Sequence, residues 1–393
     1  EALKWVQKNK GMCCKDNGYG SPRISSEYPD CSTPFSFDMY SLCSFGCLYC
    51  FAYFQKINNP AIDKENLTLC SVNVNKLIEV FEGKHPDNPY WKYFISKRKV
   101  MHIGGMADNF CNFERNNKIG VPLIEYLLKT GYPIIISTKG DFLSMPEYAE
   151  MFVKYKDVAC CAIQSSIITD DDAVAANIEV GVPSPTKRYE NLRKCSELGY
   201  YTILRLRPFL IGVSDRTMSS LLQKMADYKI HAISTEFYAL DMHVDNNVKK
   251  RYQWMSDICG FDIVEYYRKL SPSERGTYRR LNRKVKEKFI KQIYKFCVDN
   301  GKIFACSDPD FKELNMTGSC CGLPDMDNNN FGLLNNWMRN QLTNHLRKLR
   351  LRYWKSNGKD KYLTVEQLEE DTVEHLWKED HTFYGDSICK IGK

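Results

Sequence analysis

Short apolar runs alternate with amphipathic stretches between residues 34 and 244. Six runs are rich in β-branched and aromatic residues and predict buried strands, at residues 35–40, 100–103, 133–138, 158–164, 201–206 and 231–237. The intervening stretches have helical periodicity; two of them, residues 121–130 and 185–198, end directly before a glycine. This alternation predicts parallel βαβ units, about six in number, and therefore an α/β fold. Six units suit a partial (β/α)6 barrel better than a doubly wound sheet, although spacing alone leaves both open.

The pattern divides the chain into three regions. Residues 1–33 are polar and turn-rich and predict an N-terminal arm, and residues 34–244 form the predicted partial barrel. Residues 245–393 predict a mainly helical C-terminal region, with a strand at 302–306 and helices near 331–352 and 364–378. We expect this last region to serve as a substrate or auxiliary metal module.

The bulk composition is that of an ordinary globular protein. Hydrophobic residues make up 43% and charged residues 26% of the chain, and charges interrupt the longest apolar stretch, at residues 123–136. We therefore expect no membrane segment. The net charge of +7 permits an anionic partner without requiring one, and nothing in the sequence predicts the oligomeric state.

The cysteine content points to a reducing environment. Seventeen is an odd number in a chain too long to need disulfide bonds, and no signal-peptide pattern lies near Glu1. We therefore expect a cytoplasmic protein whose thiols bind metal or pack as small hydrophobic groups.

Three cysteines lie close together directly after the first predicted strand. In Cys43-Ser-Phe-Gly-Cys47-Leu-Tyr-Cys50 a single loop can fold all three around one metal centre. A structural zinc ion would need a fourth ligand from elsewhere, and ferredoxin-type clusters use four cysteines at other spacings. Three thiolates suit a 4Fe-4S cluster with one iron open to a further ligand. A zinc site and cysteines that only pack in the core are the alternatives.

This C-x3-C-x2-C loop, with Tyr49 before its last cysteine, resembles that of the radical S-adenosylmethionine (SAM) superfamily. Further stretches resemble its spore photoproduct lyase-like branch, often labelled DNA repair photolyases: residues 49–52 (YCFA), 104–108 (GGMAD), 137–139 (STK) and 181–212. The resemblance implies that Cys43, Cys47 and Cys50 bind a 4Fe-4S cluster whose open iron chelates SAM. It also implies an electron donor such as flavodoxin or ferredoxin. The resulting 5'-deoxyadenosyl radical would abstract hydrogen from a substrate.

Glycines follow the second predicted strand, at the end where βα barrels carry their active sites. The superfamily has a Gly-Gly-Glu-like segment there that contacts the SAM amino group. Gly104 and Gly105 match it, but Met106 replaces the glutamate and Asp108 lies two positions further on. The resemblance therefore implies SAM contacts at Gly104, Gly105 and Asp108; a simple tight turn is the alternative.

Charged and polar residues end the next three strands. Lys139 follows the third strand and is a candidate catalytic residue that would pair with the SAM carboxylate or an anionic substrate, or else a solvated loop lysine. Ser165 ends the fourth strand, where the family uses polar side chains on SAM. Arg205 and Arg207 share one face of the fifth strand. A buried arginine pair needs an anionic partner, either SAM, the substrate or carboxylates on a covering helix.

Other cysteines are candidates for further chemistry. Cys160 and Cys161 lie in the fourth strand, so one should point into the barrel. In the spore photoproduct lyase branch a cysteine returns a hydrogen atom to the product, so both are candidate catalytic residues, with core packing as the alternative. Cys306, Cys320 and Cys321 resemble the auxiliary sites of some radical SAM subfamilies, although they lack a C-x2-C anchor. They are candidates for a second iron-sulfur cluster or zinc.

Two basic stretches lie beyond the predicted barrel. Residues 275–295 and 347–355 interleave lysine and arginine with aromatic residues, a pattern that suits phosphate contacts and base stacking. Solvated helix faces with inward aromatic residues are the alternative.

Three hypotheses follow. The first is a radical SAM enzyme acting on nucleic acid, as a repair lyase or a base- or sugar-modifying enzyme. The second keeps the chemistry but has a peptide or small-metabolite substrate and an auxiliary cluster. The third is a non-enzymatic, zinc-stabilised nucleic-acid-binding protein.

Overall fold

A computed structural model describes residues 15–16, 22–24, 32–57, 69–84, 94–96, 98–242, 246–271, 278–317 and 319–324 of the chain. Within these residues a parallel sheet runs through the centre of the molecule. Its strands are β1 (Phe35–Phe37), β2 (Met101–Ile103), β3 (Ile134–Thr138), β4 (Cys161–Ser166), β5 (Tyr201–Phe209), β6 (Ala232–Phe237) and β7 (Ile303–Cys306). They lie in chain order across the sheet, from β7 at one side to β1 at the other. A two-residue strand, Arg23–Ile24, pairs antiparallel with the outer side of β1.

Helices connect and cover the strands. Their bounds are α1 (Phe51–Ile57), α2 (Val74–Phe81), α3 (Asn112–Asn117), α4 (Val121–Lys129), α5 (Pro146–Lys154), α6 (Asp172–Ile178), α7 (Pro185–Glu197), α8 (Ser214–Asp227), α9 (Asn246–Cys259), α10 (Ile263–Leu270) and α11 (Arg283–Asp299). None of them has both the length and the apolar character of a membrane-spanning segment. The helices predicted at 121–130 and 185–198 are present as α4 and α7.

Parallel strands in sequential order, connected by helices, are the arrangement expected of βαβ units, and the predicted partial barrel is confirmed. Two features differ from the prediction. The fourth strand begins and ends later than predicted, at Cys161–Ser166, and the strand predicted at 302–306 joins the sheet as β7 beside β6. The domain boundary at residue 244 stays a prediction. One strand of the sheet, β7, lies beyond this boundary in the chain. The helices predicted near 331–352 and 364–378 and the basic stretch 347–355 lie outside the described residues.

The two faces of the sheet have different surroundings because alternate side chains of a strand point to opposite sides. One face packs against the helices in the large core. The other face lies inside the barrel, where Ile135, Ala162, Ile203 and Ala232 form a small apolar cluster with Leu323. The segment 319–324 therefore fills the bottom of the barrel. Its backbone is held there by Gln164 Nε2 and Ser234 Oγ, which donate to the carbonyls of Cys321 and Cys320, each over 3.1 Å.

A buried carboxyl group joins α3 to the neighbouring elements. Glu114 accepts hydrogen bonds from the hydroxyls of Tyr40 and Tyr148 and from the backbone N–H of Gly120, the last over 2.9 Å. Burial raises the pKa of Glu114 to about 7, although the hydrogen bonds act in the opposite direction.

Replacing Glu114 with glutamine should remove a pH dependence of stability. The pKa of Glu114 is higher in the folded than in the unfolded chain, so the folded protein binds an extra proton between about pH 4.5 and 7. The wild type therefore loses stability as the pH rises through this window, by up to about 3 kcal/mol. Urea unfolding at pH 5 and pH 8 should show the variant gaining stability relative to the wild type at the higher pH. A difference that is the same at both pH values would contradict this expectation.

Candidate metal and cofactor site

A cavity of about 570 Å³ opens at the carboxyl ends of the strands, a size typical of small-molecule sites. It is lined by the loop after β1, by the ends of β2 to β6, and by the short strand Tyr278–Arg280. It brings together most of the sequence-predicted site residues: Cys43, Cys47, Cys50, Gly104, Gly105, Asp108, Lys139, Arg205 and Arg207. These residues are spread over 165 positions of the chain, from 43 to 207, and the fold brings them to the surface of one cavity.

The three-cysteine loop is held in place by backbone pairing. Gly46–Cys47 forms a short antiparallel pair with Glu179–Val180, and the N–H of Leu48 donates to the carbonyl of Ile178 over 2.9 Å. The buried Arg251 of α9 also donates, from Nη1, to the carbonyl of Cys47 over 3.1 Å. The loop is thus fixed from both sides.

A buried ion pair lies directly behind the loop. Arg188 and Glu179 are both buried, and Nη2 of Arg188 lies 2.5 Å from Oε2 of Glu179. Nη1 of Arg188 also donates to the carbonyl of Ser166 over 2.6 Å. The hydroxyl of Tyr49, from the cysteine loop, donates to the other oxygen of Glu179. The chain Tyr49–Glu179–Arg188 therefore ties the loop to β4 and α7. Arg188 is not among the predicted site residues; its position on the apolar face of α7, with Leu192 and Cys195, is the signal in the sequence that marks it.

Two thiols of the loop, those of Cys43 and Cys47, are poorly ionised without a cation. Burial raises the pKa of Cys47 to about 12, and the charge of Lys139 opposes this shift. The pKa of Cys43 is raised well above its ordinary value by a hydrogen bond with Cys111 and by burial. Cys111, which precedes α3, is a neighbour of the loop that is not among the predicted site residues. A metal that replaces the thiol protons would restore the thiolates.

The arrangement of these thiols can be tested against the predicted metal groups. In the described part of the chain, no three His, Cys, Asp or Glu side chains converge closely enough to hold a single metal ion. A 4Fe-4S cluster makes a different demand, since its protein thiolates bind different irons and are spread around the cluster. Three thiols on one eight-residue loop that line one cavity fit that donor set.

The glycine segment after β2 makes an unusually close backbone contact. Gly104 has a φ of +95°, and a Cβ placed there would lie 2.2 Å from the carbonyl oxygen of Ser137. Asp38, at the end of β1, accepts from the N–H groups of Met106 and Ala107 over 3.0 and 3.2 Å. The turn is therefore required by the fold, and it also exposes backbone of Gly104 and Gly105 to the cavity.

Replacing Gly104 with alanine should destabilise the protein more than the same change at Gly199. Both glycines have a positive φ, +95° and +90°, but a Cβ at Gly199 would meet nothing within 4 Å. The backbone strain is therefore matched, and only Gly104→Ala adds an overlap, which costs about 1–3 kcal/mol. Denaturant unfolding of the two variants should show this difference. Equal stabilities would mean that the close approach of β2 and β3 is not a constraint.

Asp108 ties the ends of β2 and β3 together. Its carboxylate accepts from Thr138 Oγ1 over 2.7 Å and from the N–H of Lys139 over 2.5 Å. Burial raises its pKa, while these hydrogen bonds oppose the shift. The Lys139 ammonium lies 5.5 Å from the ring centre of Tyr49, so the predicted lysine borders the cysteine loop.

The arginine pair on β5 has no carboxylate partner among the described residues. Arg207 donates to the carbonyl of Cys320, but within the described ranges neither Arg205 nor Arg207 forms an ion pair, and the Nε of each has no hydrogen-bond partner. Burial, together with the charge of Arg207, lowers the pKa of Arg205 to about 10. The described residues show no ion pair between these arginines and a covering helix. Both guanidinium groups are half-buried with a buried, unpartnered Nε, which favours a bound anion.

Comparisons with known proteins support one fold. No family model and no curated protein matches the sequence. Among solved structures, spore photoproduct lyase complexed with dinucleoside spore photoproduct matches with a TM-score of 0.51 over 78% of this chain and 84% of that chain, at 13% identity. This chain has the fold of spore photoproduct lyase. A variant of that lyase with bound AdoMet and dinucleoside spore photoproduct matches with a TM-score of 0.50 at 14% identity, over 72% of this chain and 78% of that chain.

In this spore photoproduct lyase fold, three predicted residues lie away from the cavity. Ser165 shares a face of β4 with Cys161 and Ile163, both of which belong to the large core, while the next residue, Ser166, lines the cavity. Cys161 is therefore turned towards the helices, and Cys160 precedes β4 at the opposite end of the strand. Cys160 does point into the barrel, as predicted for one of the pair, because it packs against the small apolar cluster there. None of Ser165, Cys160 and Cys161 lines the cavity, so the structure gives no support for Ser165 as a cavity residue or for either cysteine as a hydrogen donor there.

The cysteines of the second group have different surroundings. Cys306 is buried in the large core, whereas Cys321 packs against the small apolar cluster inside the barrel. Together with Cys320 they form no group that could hold a single metal ion in the part of the chain that is described, so a zinc site there is not supported. A second iron-sulfur cluster at these cysteines stays a prediction.

The basic stretch 275–295 has a mixed role. Lys286 is buried, and its Nζ lies 2.7 Å from Oδ1 of Asp308 and 2.5 Å from Oδ2 of Asp310. Arg283 forms an ion pair with Glu313, with Nη2 at 2.8 Å from Oε1. These two residues hold α11 to the segment after β7. Arg280, by contrast, is exposed and lines the cavity.

Proposed function

We propose that this chain is a radical SAM enzyme that acts on nucleic acid, as a repair lyase or a base- or sugar-modifying enzyme. The observation that carries the proposal is the set of three thiols from one short loop, facing one cavity of small-molecule size at the carboxyl ends of parallel strands. The fold of spore photoproduct lyase supports it independently.

In this proposal Cys43, Cys47 and Cys50 hold a 4Fe-4S cluster. When bound, the cluster supplies the electron for reductive cleavage of SAM, which yields a 5'-deoxyadenosyl radical. The rest of the chain holds the loop rigid, through Arg251 on one side and the Glu179–Arg188 pair on the other. A donor such as flavodoxin or ferredoxin would deliver the electron, and a reducing cytoplasm would suit the free thiols.

The charged cavity residues would bind the two charged ends of the SAM methionine. The carboxylate of Asp108 and the backbone of Gly104 and Gly105 suit the ammonium group. Lys139 and Arg205 suit the carboxylate, and for Arg205 that carboxylate would supply the missing anionic partner. Arg207 and Glu236 line the same cavity and would face SAM or the substrate.

Nucleic acid is favoured as substrate by the charge around the cavity. Its lining contains four basic side chains, from Lys139, Arg205, Arg207 and Arg280, against the carboxylates of Asp108 and Glu236. An excess of positive charge at a cavity attracts a polyanion.

The experiment is to reconstitute the protein with iron and sulfide under anaerobic conditions, reduce it with dithionite and add SAM. We expect 5'-deoxyadenosine to form in a reductant-dependent manner, and oligonucleotides to bind with an affinity that falls as the salt concentration rises. No 5'-deoxyadenosine would overturn the enzyme proposal. Cleavage of SAM without oligonucleotide binding at low salt would instead favour a peptide or small metabolite as substrate.

A further inference from the structure

Two exposed aromatic side chains stand at the mouth of the cavity. Phe51 is 45% exposed and Tyr278 is 44% exposed, and both line the cavity. The other large apolar side chains with such exposure among the described residues are Val153, Val158 and Val298, and none of these lines it. Exposed aromatic groups at a cavity mouth are costly in water and are typical of recognition sites.

The two rings approach the cavity from different sides of the barrel. Phe51 begins α1, directly after the cysteine loop that follows β1. Tyr278 lies on a short strand that pairs with Ala239–Asp241, which follows β6. Since β1 and β6 are separated by four strands in the sheet, the two aromatic residues border the cavity from separate elements.

A positive charge accompanies one of the rings. Arg280 is two positions from Tyr278 on the same strand, so both side chains lie on one face, and both are exposed and line the cavity. An aromatic ring beside a guanidinium offers a stacking surface for a base and a partner for its phosphate.

We propose that Phe51 and Tyr278 stack on an unpaired nucleobase at the mouth of the cavity, while Arg280 binds the adjoining phosphate. This inference rests on the proposed nucleic-acid substrate and specifies how it is held. A base inside a duplex cannot present its faces to two rings, so the target base enters the cavity from a single strand or after leaving the base stack. Stacking reads no particular base, so these contacts position the strand without setting its sequence.

The test is equilibrium binding of fluorescent single-stranded oligonucleotides to the reconstituted 393-residue chain. Phe51→Leu and Tyr278→Leu should each weaken binding by about 10-fold, because they keep apolar bulk but remove the ring. Tyr278→Phe should bind like the wild type, since the ring is retained. Val298→Ser, an exposed apolar position away from the cavity, should have no effect. Arg280→Gln should lower the slope of log affinity against log salt concentration by about 1.

Phe51 follows a cluster cysteine, so the iron content of Phe51→Leu must be measured; Tyr278 is far from the loop in sequence and serves as the independent variant. Oligonucleotide binding that is unchanged in both leucine variants would overturn the stacking proposal. Binding by the wild type of a fully paired duplex as tightly as a single strand would overturn it too. The proposed function is judged separately, by 5'-deoxyadenosine formation in the wild type without any oligonucleotide. If SAM is cleaved but no oligonucleotide binds, the mouth holds a peptide or another aromatic ligand, and this inference is wrong.

Discussion

Replacing Cys47 with serine should reduce both bound iron and SAM cleavage by about 100-fold or more. Cys47 is buried, and its side chain lines the cavity between the other two cysteines of the loop. Changes in groups that merely orient metal ligands cost 10–100-fold, so loss of a ligand should cost at least as much. A serine hydroxyl is a much weaker ligand for iron than a thiolate. Iron content, visible absorption and 5'-deoxyadenosine formation measure the effect.

The matched control is Cys160→Ser. Cys160 is half-buried but does not line the cavity, so its replacement should leave iron content and SAM cleavage within about 2-fold of wild type. If Cys47→Ser keeps its iron, or if Cys160→Ser loses as much, the loop is not the cluster site.

Replacing Glu179 with alanine should destabilise the metal-free protein by about 3–5 kcal/mol. The change leaves Arg188 charged in a fully buried position without its carboxylate, which is among the most costly single changes to a folded protein. It also removes the acceptor of the Tyr49 hydroxyl, so the cysteine loop loses its link to α7. Urea unfolding measures the loss, and reconstitution should yield less iron per chain because the loop is less well held.

The control for this prediction is an exposed ion pair on α7, the helix that carries Arg188. Arg193 pairs with Glu190 and Glu197, but all three side chains are at least one third exposed. Arg193→Ala should therefore cost less than about 1 kcal/mol. Similar losses for Glu179→Ala and Arg193→Ala would show that the buried pair contributes no more than a surface one.

The fold was predictable because the strands and helices have clear local patterns. Fully buried parallel strands such as β3 read as continuous apolar runs, and α7 carries its own start and stop residues in Ser184 and Gly199. The cysteine loop was predictable for the same reason, since its three cysteines lie within eight residues.

The features of the site that the sequence did not predict depend on contacts between distant residues or on exact strand register. Ser165 and Ser166 differ by one position, and a shift of one residue exchanges the two faces of a strand. The hydrogen bond from Tyr49 to Glu179 joins residues 130 positions apart, beside the pairing of Gly46–Cys47 with Glu179–Val180. The segment 319–324, which fills the bottom of the barrel, has no periodic pattern that would predict its position.

The most direct test of the central claim is whether SAM binds at an iron held by the three-cysteine loop. The anaerobically reconstituted protein should contain about four irons per chain, and its reduced form should give a 4Fe-4S electron paramagnetic resonance signal. Adding SAM should change that signal, because SAM would bind the iron that lacks a thiolate. A cluster signal that is indifferent to SAM, or a colourless protein with one zinc per chain, would contradict the account.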